Sequence, residues 1–138
     1  MINFIIVTHG EFGAYLVEAA ESIVGRQPGV KVVPISPRVS VPEIRERVRR
    51  ALAQLGGEDG LVLFSDIPGG TPSNISFPLV KDLAKVEMIS GVNLYMLVTA
   101  FSHRGDMPLE ALIEKVIADG QKSIRDIRRM FLTRTARP

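Results

Sequence analysis

Apolar residues in this chain form two patterns, short continuous runs and longer stretches in which they recur every three or four positions. The short segments occupy residues 2–8, 30–35, 61–65 and 86–90, with one charged residue inside the second and the fourth, and each is followed by a glycine or a polar residue. Runs of this length are typical of strands buried on both faces, whereas the wider spacing is typical of amphipathic helices. The pattern therefore predicts four strands separated by helices.

Capping residues mark the helix boundaries. The first helix is predicted to begin near Phe12 and to end at Gly25. The second is predicted to begin after Ser40, which forms a capping-box pattern with Glu43, and to end at Gly56. Three further helices are predicted, one beginning at Thr71, one over residues 93–101 and one over residues 108–118.

Several positions within these helices carry specific expectations. Thr71 is expected to cap the third helix, with Pro72 in the first turn, where a missing N–H does little harm. Pro78 lies about two turns further on and predicts a kink or a break, because proline removes a helical hydrogen bond. Gly120 is expected to end the fifth helix. Residues 123–131 fit either a strand or a helix.

The regular alternation of strands and helices predicts the fold class. It favours a single-domain α/β protein with a doubly wound, mostly parallel sheet covered by helices on both faces. The common strand order in such sheets is 2-1-3-4, in which strands one and three are neighbours. Ligands bind in the crevice beyond the carboxyl ends of those two strands.

Composition narrows the class of protein. The 138 residues are enough for one domain with a substantial core, and the absence of cysteine excludes disulfides and thiolate metal sites. The apolar runs are far shorter than the ~20 residues of a membrane span. The N-terminus has no signal-peptide pattern, so we expect a cytoplasmic protein. The net charge of +2 gives no argument for nucleic acid as a partner.

Basic residues are concentrated in two segments. A solvated helix face and a solvated terminus are the usual explanation of such clusters, and a docking surface for an acidic partner is the alternative. We predict a domain over residues 1–131 and an arginine-rich tail over residues 132–138. The clustered residues are Arg45, Arg47, Arg49 and Arg50, and then Arg125, Arg128, Arg129, Arg134 and Arg137.

Two strands end in residues capable of chemistry. The first ends at His9, followed by Gly10, and the third ends at Asp66. In a parallel sheet both side chains lie at the same rim. A carboxylate bonded to one imidazole nitrogen fixes the tautomer and leaves the other nitrogen nucleophilic. A lone histidine is often structural, but this placement favours a catalytic pair of His9 and Asp66.

A glycine turn completes the candidate site. Successive amides at Gly69 and Gly70, followed by Thr71 at a helix start, can bind an anion, although a tight turn is the simpler explanation. Together with His9 and Asp66 the turn suggests phosphoryl transfer. Neither a P-loop nor a dinucleotide fingerprint is present, so we expect no cofactor and no metal. The phosphoryl group would then come from another phosphoprotein, with His9 as its covalent carrier.

The same residues carry a resemblance to a known family. Over nearly its whole length the chain resembles the enzyme IIA domain of the mannose-type bacterial phosphotransferase system, which includes mannose, fructose and sorbose members. The matching segments are residues 8–10, residues 19–21 with Gly25, Asp66 followed by residues 69–74, and residues 91–94.

The resemblance implies a phosphotransferase that works through a phosphohistidine. In that family the histidine after the first strand accepts a phosphoryl group from the histidine-containing phosphocarrier protein (HPr). It passes the group to an enzyme IIB domain, which phosphorylates sugar during import. By position, Nε2 of His9 would be the acceptor and Asp66 would hold Nδ1. The phosphoryl oxygens would be received by Gly69, Gly70 and Thr71.

The resemblance also bears on assembly and leaves alternatives open. Family members form homodimers by exchanging an antiparallel C-terminal edge strand, which gives residues 123–131 a role, and they contact the membrane only indirectly, through the sugar permease components. We expect a free-standing IIA domain without a fused IIB domain, and Tyr95 stands where the family commonly has proline. One alternative is a regulatory phosphohistidine module without sugar transport. Another is a phosphodonor to a dihydroxyacetone kinase, whose phosphodonor subunit has a similar domain.

Overall fold

A parallel sheet runs through the centre of the molecule, with helices on both faces. The computed structural model describes residues 1–136. Its strands are β1 (Asn3–His9), β2 (Val30–Ile35), β3 (Leu61–Ser65) and β4 (Val86–Ile89). Its helices are α1 (Phe12–Val24), α2 (Val41–Leu55), α3 (Thr71–Val80), α4 (Leu94–His103), α5 (Leu109–Lys122) and α6 (Ile127–Ala136).

The strand order is β2-β1-β3-β4, and every neighbouring pair is parallel. The predicted fold class and strand order are confirmed, and the predicted strands agree with the structure to within one residue at each end. In the register of β1 with β3, Val7 lies opposite Ser65. The carboxyl ends of these two strands therefore lie side by side, two residues before His9 and one before Asp66.

Alternate residues of the central strands feed two separate cores. On one face, Phe4 and Ile6 of β1 pack with α1, α4 and α5. On the other, Ile5 and Val7 pack with α2 and α3. Every residue of β3 is buried, which explains its continuous apolar run.

The start and the interior of α3 differ from expectation. Gly70, in extended conformation, is the N-cap, so the prediction that Thr71 caps this helix is wrong and Thr71 is its first helical residue. The predicted break at Pro78 does not occur, because α3 runs through Pro78 and ends at Val80. With only two helical residues after it, Pro78 disturbs little of the hydrogen-bond ladder.

The C-terminal third corrects one expectation and decides an alternative that was left open. Gly120 does not end a helix but lies buried inside α5, where an added Cβ would stand 2.5 Å from Cγ of Met96. Glycine at this position allows α5 to approach α4 closely. The ambiguous residues 123–131 contain no strand in the described chain, and α6 begins at Ile127. Arg137 of the predicted tail lies outside the described residues.

No helix within residues 1–136 is both long enough and apolar enough to cross a membrane.

Candidate functional site

The carboxyl ends of β1 and β3 bring His9 and Asp66 into direct contact. His9 is the last residue of β1, and Asp66 directly follows β3. Nδ1 of the His9 ring lies 2.8 Å from Oδ2 of Asp66. The backbone N–H of His9 donates to the same oxygen at 2.9 Å. One carboxylate oxygen therefore holds both the ring and the backbone of the histidine.

The Asp66 carboxylate is itself fixed and ionised. Its other oxygen accepts from the backbone N–H of Ile67 at 2.9 Å. Burial raises the pKa of Asp66, but hydrogen bonds from the backbone and ring of His9 and from Ile67 outweigh this and bring the pKa below its ordinary value. An ionised carboxylate only accepts hydrogen bonds, so Nδ1 must carry the ring proton. In the neutral imidazole this leaves the lone pair on Nε2.

The two side chains differ in exposure. The side chain of Asp66 is 10% exposed, whereas that of His9 is 50% exposed. A carboxylate sheltered in this way can orient a ring that remains open to an incoming group. The pair thus combines a sheltered carboxylate with an imidazole that remains open to solvent.

The glycine turn before α3 lies against the His9 ring. A Cβ added at Gly70 would stand 3.5 Å from Cε1 of His9, the ring carbon between the two nitrogens. Gly69 has a φ of +75°, and its carbonyl accepts from Nδ2 of Asn74 at 3.1 Å. The Gly70 N–H donates to the carbonyl of Ile67 at 3.2 Å, so this amide closes the turn. Thr71 is exposed at the start of α3, where the helix dipole favours negative charge.

Thr8, for which the sequence analysis gave no separate role, anchors the other side of the site. It is fully buried, and its Oγ1 accepts from the N–H of Gly13 in the first turn of α1 at 2.8 Å. A Cβ at Gly13 would stand 2.9 Å from that oxygen. The turn between them begins at Gly10, with a φ of +52°. The signal in the sequence was a polar residue closing an apolar strand directly before histidine.

Two serines were also overlooked. Oγ of Ser65, the last residue of β3, lies 2.7 Å from Oγ of Ser73 in α3. Ser73 in turn donates to the carbonyl of Ile67 at 3.0 Å. Behind them, the N–H of Gly91 donates to the Asp66 carbonyl at 3.0 Å, which ties the loop after β4 to the site.

Comparison with known proteins gives the family. A family model described as "PTS system fructose IIA component" matches residues 3–117, most of the chain. This chain belongs to that IIA family of the phosphotransferase system. Members of the family act as phosphotransferases in the phosphoryl relay of sugar uptake, with a phosphocarrier and IIB components as partners.

Curated relatives agree with this membership. The fructose-specific EIIA component of the phosphotransferase system of Bacillus subtilis is 30% identical over 125 residues, which cover 91% of this chain and 86% of that protein. The mannose-specific EIIAB component of Escherichia coli K12 is 29% identical over 128 residues, or 92% of this chain. The present chain spans only 40% of that longer protein.

Solved structures match the fold of this IIA chain. A phosphotransferase system component EIIA from Streptococcus agalactiae superposes with a TM-score of 0.84 at 29% identity, covering 94% of this chain and 99% of that one. The IIA protein associated with the fucose utilization operon of Streptococcus pneumoniae gives a TM-score of 0.86 at 20% identity, with 94% and 96% covered. At that identity the second match supports the fold alone.

His103 and three of the arginines clustered on α2 pair with acidic residues of their own segments. His103, at the end of α4, contacts Asp106 at 3.3 Å. Within residues 1–136 no three histidine, aspartate or glutamate side chains converge as a metal site would require. On α2, three of the clustered arginines pair with glutamates of their own helix, as on an ordinary solvated face. These are Arg47 with Glu43, and Arg49 and Arg50 with Glu46.

Proposed function

We propose that this IIA protein accepts a phosphoryl group from HPr on Nε2 of His9 and passes it to an enzyme IIB domain. The observation that carries the proposal is the 2.8 Å contact between Nδ1 of His9 and Oδ2 of Asp66, on a ring that is half exposed. This contact leaves the lone pair on Nε2, the nitrogen that an incoming phosphoryl group can reach.

The chemistry follows from the state of these two side chains. The Nε2 lone pair attacks the phosphorus, and the bond between phosphorus and the donor's nitrogen breaks. Positive charge develops on the imidazole, whose Nδ1 keeps its proton because ionised Asp66 is beside it. When the group moves on to the acceptor, the electron pair of the phosphorus–nitrogen bond returns to Nε2.

The glycine turn is proposed to hold the phosphoryl oxygens. Thr71 contributes its hydroxyl at the positive end of α3, and Gly69 contributes a backbone amide. Gly70 has no side chain beside the ring, so the backbone can approach the transferring group. Its own N–H already closes the turn to Ile67 and would be shared with a phosphoryl oxygen.

Labelling tests the proposed acceptor directly. Incubation with HPr carrying ³²P is expected to give this chain an acid-labile, base-stable label, because phosphohistidine hydrolyses in acid. His9→Ala is expected to remain unlabelled. His103→Ala, which removes the other histidine, is the matched control and is expected to label fully. Full labelling of His9→Ala would rule the assignment out.

The second transfer separates sugar uptake from regulation. We expect the labelled protein to lose its label to an added enzyme IIB domain, with the label appearing on that domain. Retention of the label in the presence of functional IIB domains would contradict the proposed acceptor. It would favour the regulatory alternative.

We also propose that the protein is a homodimer that associates along β4. Within the described chain β4 is an edge strand, and grooves of about 650 Å³ and 600 Å³ flank it on its two sides. The second groove includes Ile124, which is 83% exposed. Sedimentation equilibrium is expected to give a dimer for the wild type and a monomer for Ile124→Glu. A monomeric wild type would contradict this proposal.

A further inference from the structure

Two serine hydroxyls connect β3 to the turn that carries Asp66. Ser65 is fully buried at the end of β3, and its Oγ lies 2.7 Å from Oγ of Ser73. Ser73 belongs to the first turn of α3 and donates to the carbonyl of Ile67 at 3.0 Å. The two hydroxyls thus bridge a strand, a helix and the loop between them.

The direction of these two hydrogen bonds follows from the number of protons that each hydroxyl can donate. A serine hydroxyl has one proton to donate and two lone pairs to accept with. Because Ser73 gives its proton to the Ile67 carbonyl, its contact with Ser65 must be one in which Ser65 donates. The hydrogen bonds therefore run from Ser65 to Ser73 to Ile67.

The peptide groups of Ile67 link these serine hydrogen bonds to the proposed catalytic pair of His9 and Asp66. The Ile67 carbonyl accepts from Ser73 and from the N–H of Gly70, at 3.0 and 3.2 Å. The Ile67 N–H donates to Oδ1 of Asp66, whose Oδ2 holds Nδ1 of His9. A shift of this one residue would therefore change the direction in which the carboxylate points.

We propose that Ser73, aligned by Ser65, is a positioning residue for phosphoryl transfer. It holds Ile67 so that the Asp66 carboxylate keeps the His9 ring in one orientation and one tautomer. Among the described residues the Ser73 hydroxyl bonds to Ser65 and to the Ile67 carbonyl and not to the ring, so it acts through the turn. The effect on transfer rate rests on the proposed function, whereas the effect on ring orientation does not.

The same helix supplies a matched control. Ser76 lies one turn further along α3 and is fully buried, yet its Oγ has no hydrogen-bond partner among the described residues. Ser73→Ala and Ser76→Ala thus remove the same atom from neighbouring turns. Only the first removes a link to Asp66.

Transfer kinetics give the first readout. Ser73→Ala is expected to lower kcat for transfer from HPr about fivefold, the rate equivalent of one ordinary hydrogen bond, with KM unchanged. Ser73→Thr keeps the hydroxyl and is expected to restore the rate, and Ser76→Ala is expected to match the wild type. Because the hydroxyls act in series, Ser65→Ala combined with Ser73→Ala should be no slower than Ser73→Ala alone.

Nuclear magnetic resonance of the unphosphorylated protein gives the second readout. Imidazole ¹⁵N shifts of His9 are expected to report a proton on Nδ1 in the wild type and in Ser76→Ala. Ser73→Ala is expected to increase the share of the tautomer protonated on Nε2. A merely structural role for Ser73 would lower the melting temperature without changing this ratio.

The outcomes are separable. Equal tautomer ratios and equal rates in Ser73→Ala and Ser76→Ala would overturn the positioning role. A changed ratio in a protein whose wild type takes no label would uphold the positioning role and refute the proposed function. If Ser73→Ala does not fold, Ser65→Ala interrupts the same chain from β3 and decides in the same way, with a smaller shift.

Discussion

The two ends of the parallel sheet are built for different purposes. At the carboxyl end, the His9 ring is half exposed and contacts one carboxylate, between two turns that each contain a glycine with positive φ. At the amino end, Arg104 is only 4% exposed and is held on several sides. An exposed imidazole thus lies at the carboxyl end, and an almost fully buried guanidinium closes the amino end.

The contacts of Arg104 show how the amino end is closed. Its guanidinium donates to the carbonyls of Ile2 and Pro28 at 2.9 and 2.6 Å and to Oδ1 of Asn3 at 3.2 Å. It also lies 4.9 Å from the centre of the Phe4 ring. Burial lowers the pKa of Arg104, but guanidinium remains charged in proteins. These bonds join the start of β1 to the end of α4.

Stability and activity are expected to depend on opposite ends of the sheet. A group that must change partners during a reaction is best placed where losing a contact does not unfold the chain. By contrast, removing a buried charged group whose donors are all hydrogen-bonded destabilises the fold strongly, because its buried acceptors lose their partners. Substitutions at the amino end should therefore lower stability, and those at the carboxyl end should lower activity.

Arg104→Met should have the largest effect on stability. It leaves buried carbonyl groups without donors, and we expect the free energy of unfolding to fall by about 3 kcal/mol. Urea denaturation measures this change. Arg26→Met, at an exposed arginine, is the control and should change stability by less than about 0.5 kcal/mol. A loss below about 1 kcal/mol at Arg104 would contradict the proposed division between the ends.

Asp66→Asn should show the opposite pattern. The uncharged amide no longer stabilises a positive imidazole, so we expect transfer to slow by about 100-fold, or about 2.7 kcal/mol in activation free energy. Stability should fall by no more than about 1 kcal/mol. Single-turnover labelling and urea denaturation on the same preparation separate the two effects. An unchanged transfer rate would remove Asp66 from the mechanism.

Two glycine-to-alanine substitutions add the same methyl group at opposite ends of the sheet. At Gly29, with a φ of +66°, a Cβ would stand 2.1 Å from Oδ1 of Asn3, and Gly29→Ala should destabilise the fold by about 2 kcal/mol. At Gly70 the backbone suits any residue and the nearest atom is 3.3 Å away. Gly70→Ala should change stability by about 0.5 kcal/mol or less.

The effects of these two substitutions on transfer activity are expected to rank in the opposite order. The methyl group of Gly70→Ala lies beside the His9 ring, so transfer should slow several-fold, while Gly29→Ala should retain its rate per folded molecule. Thermal melts and labelling rates measured side by side test both halves. If Gly70→Ala were the less stable of the two, the comparison between the ends would fail.

Acid is expected to remove the small contribution that ionised Asp66 makes to the free energy of unfolding. Hydrogen bonds bring the pKa of Asp66 below its ordinary 3.8 in the folded state. The ionised group therefore adds stability that is fully present above the unfolded pKa and is lost as pH falls through the folded value. The stability difference between the wild type and Asp66→Asn should be constant near neutral pH and shrink below about pH 4. A difference that grows on acidification would contradict this.

Much of the fold could be predicted from the order of residues along the chain. The apolar runs of β1 and β3 are buried on both faces, and such burial requires helices on each side. The pairing of His9 with Asp66 was also predictable, since parallel neighbouring strands deliver their last residues to one rim. The Ser40 cap of α2 was equally local, because the Ser40 hydroxyl and the Glu43 N–H that donates to it lie three residues apart.

Other features depend on contacts between residues far apart in the chain, and no local pattern specifies them. Gly120 looks like a helix stop, yet it lies in α5 because α4 approaches it at Met96. Arg104 looks like a surface residue of a loop, yet it is buried, because the carbonyls of Ile2 and Pro28, just before β1 and β2, accept its hydrogen bonds. The spacing of apolar side chains along the sequence predicts which face of a helix or strand is buried. Which atoms that face contacts is decided only when helices and strands that are distant in the sequence pack together.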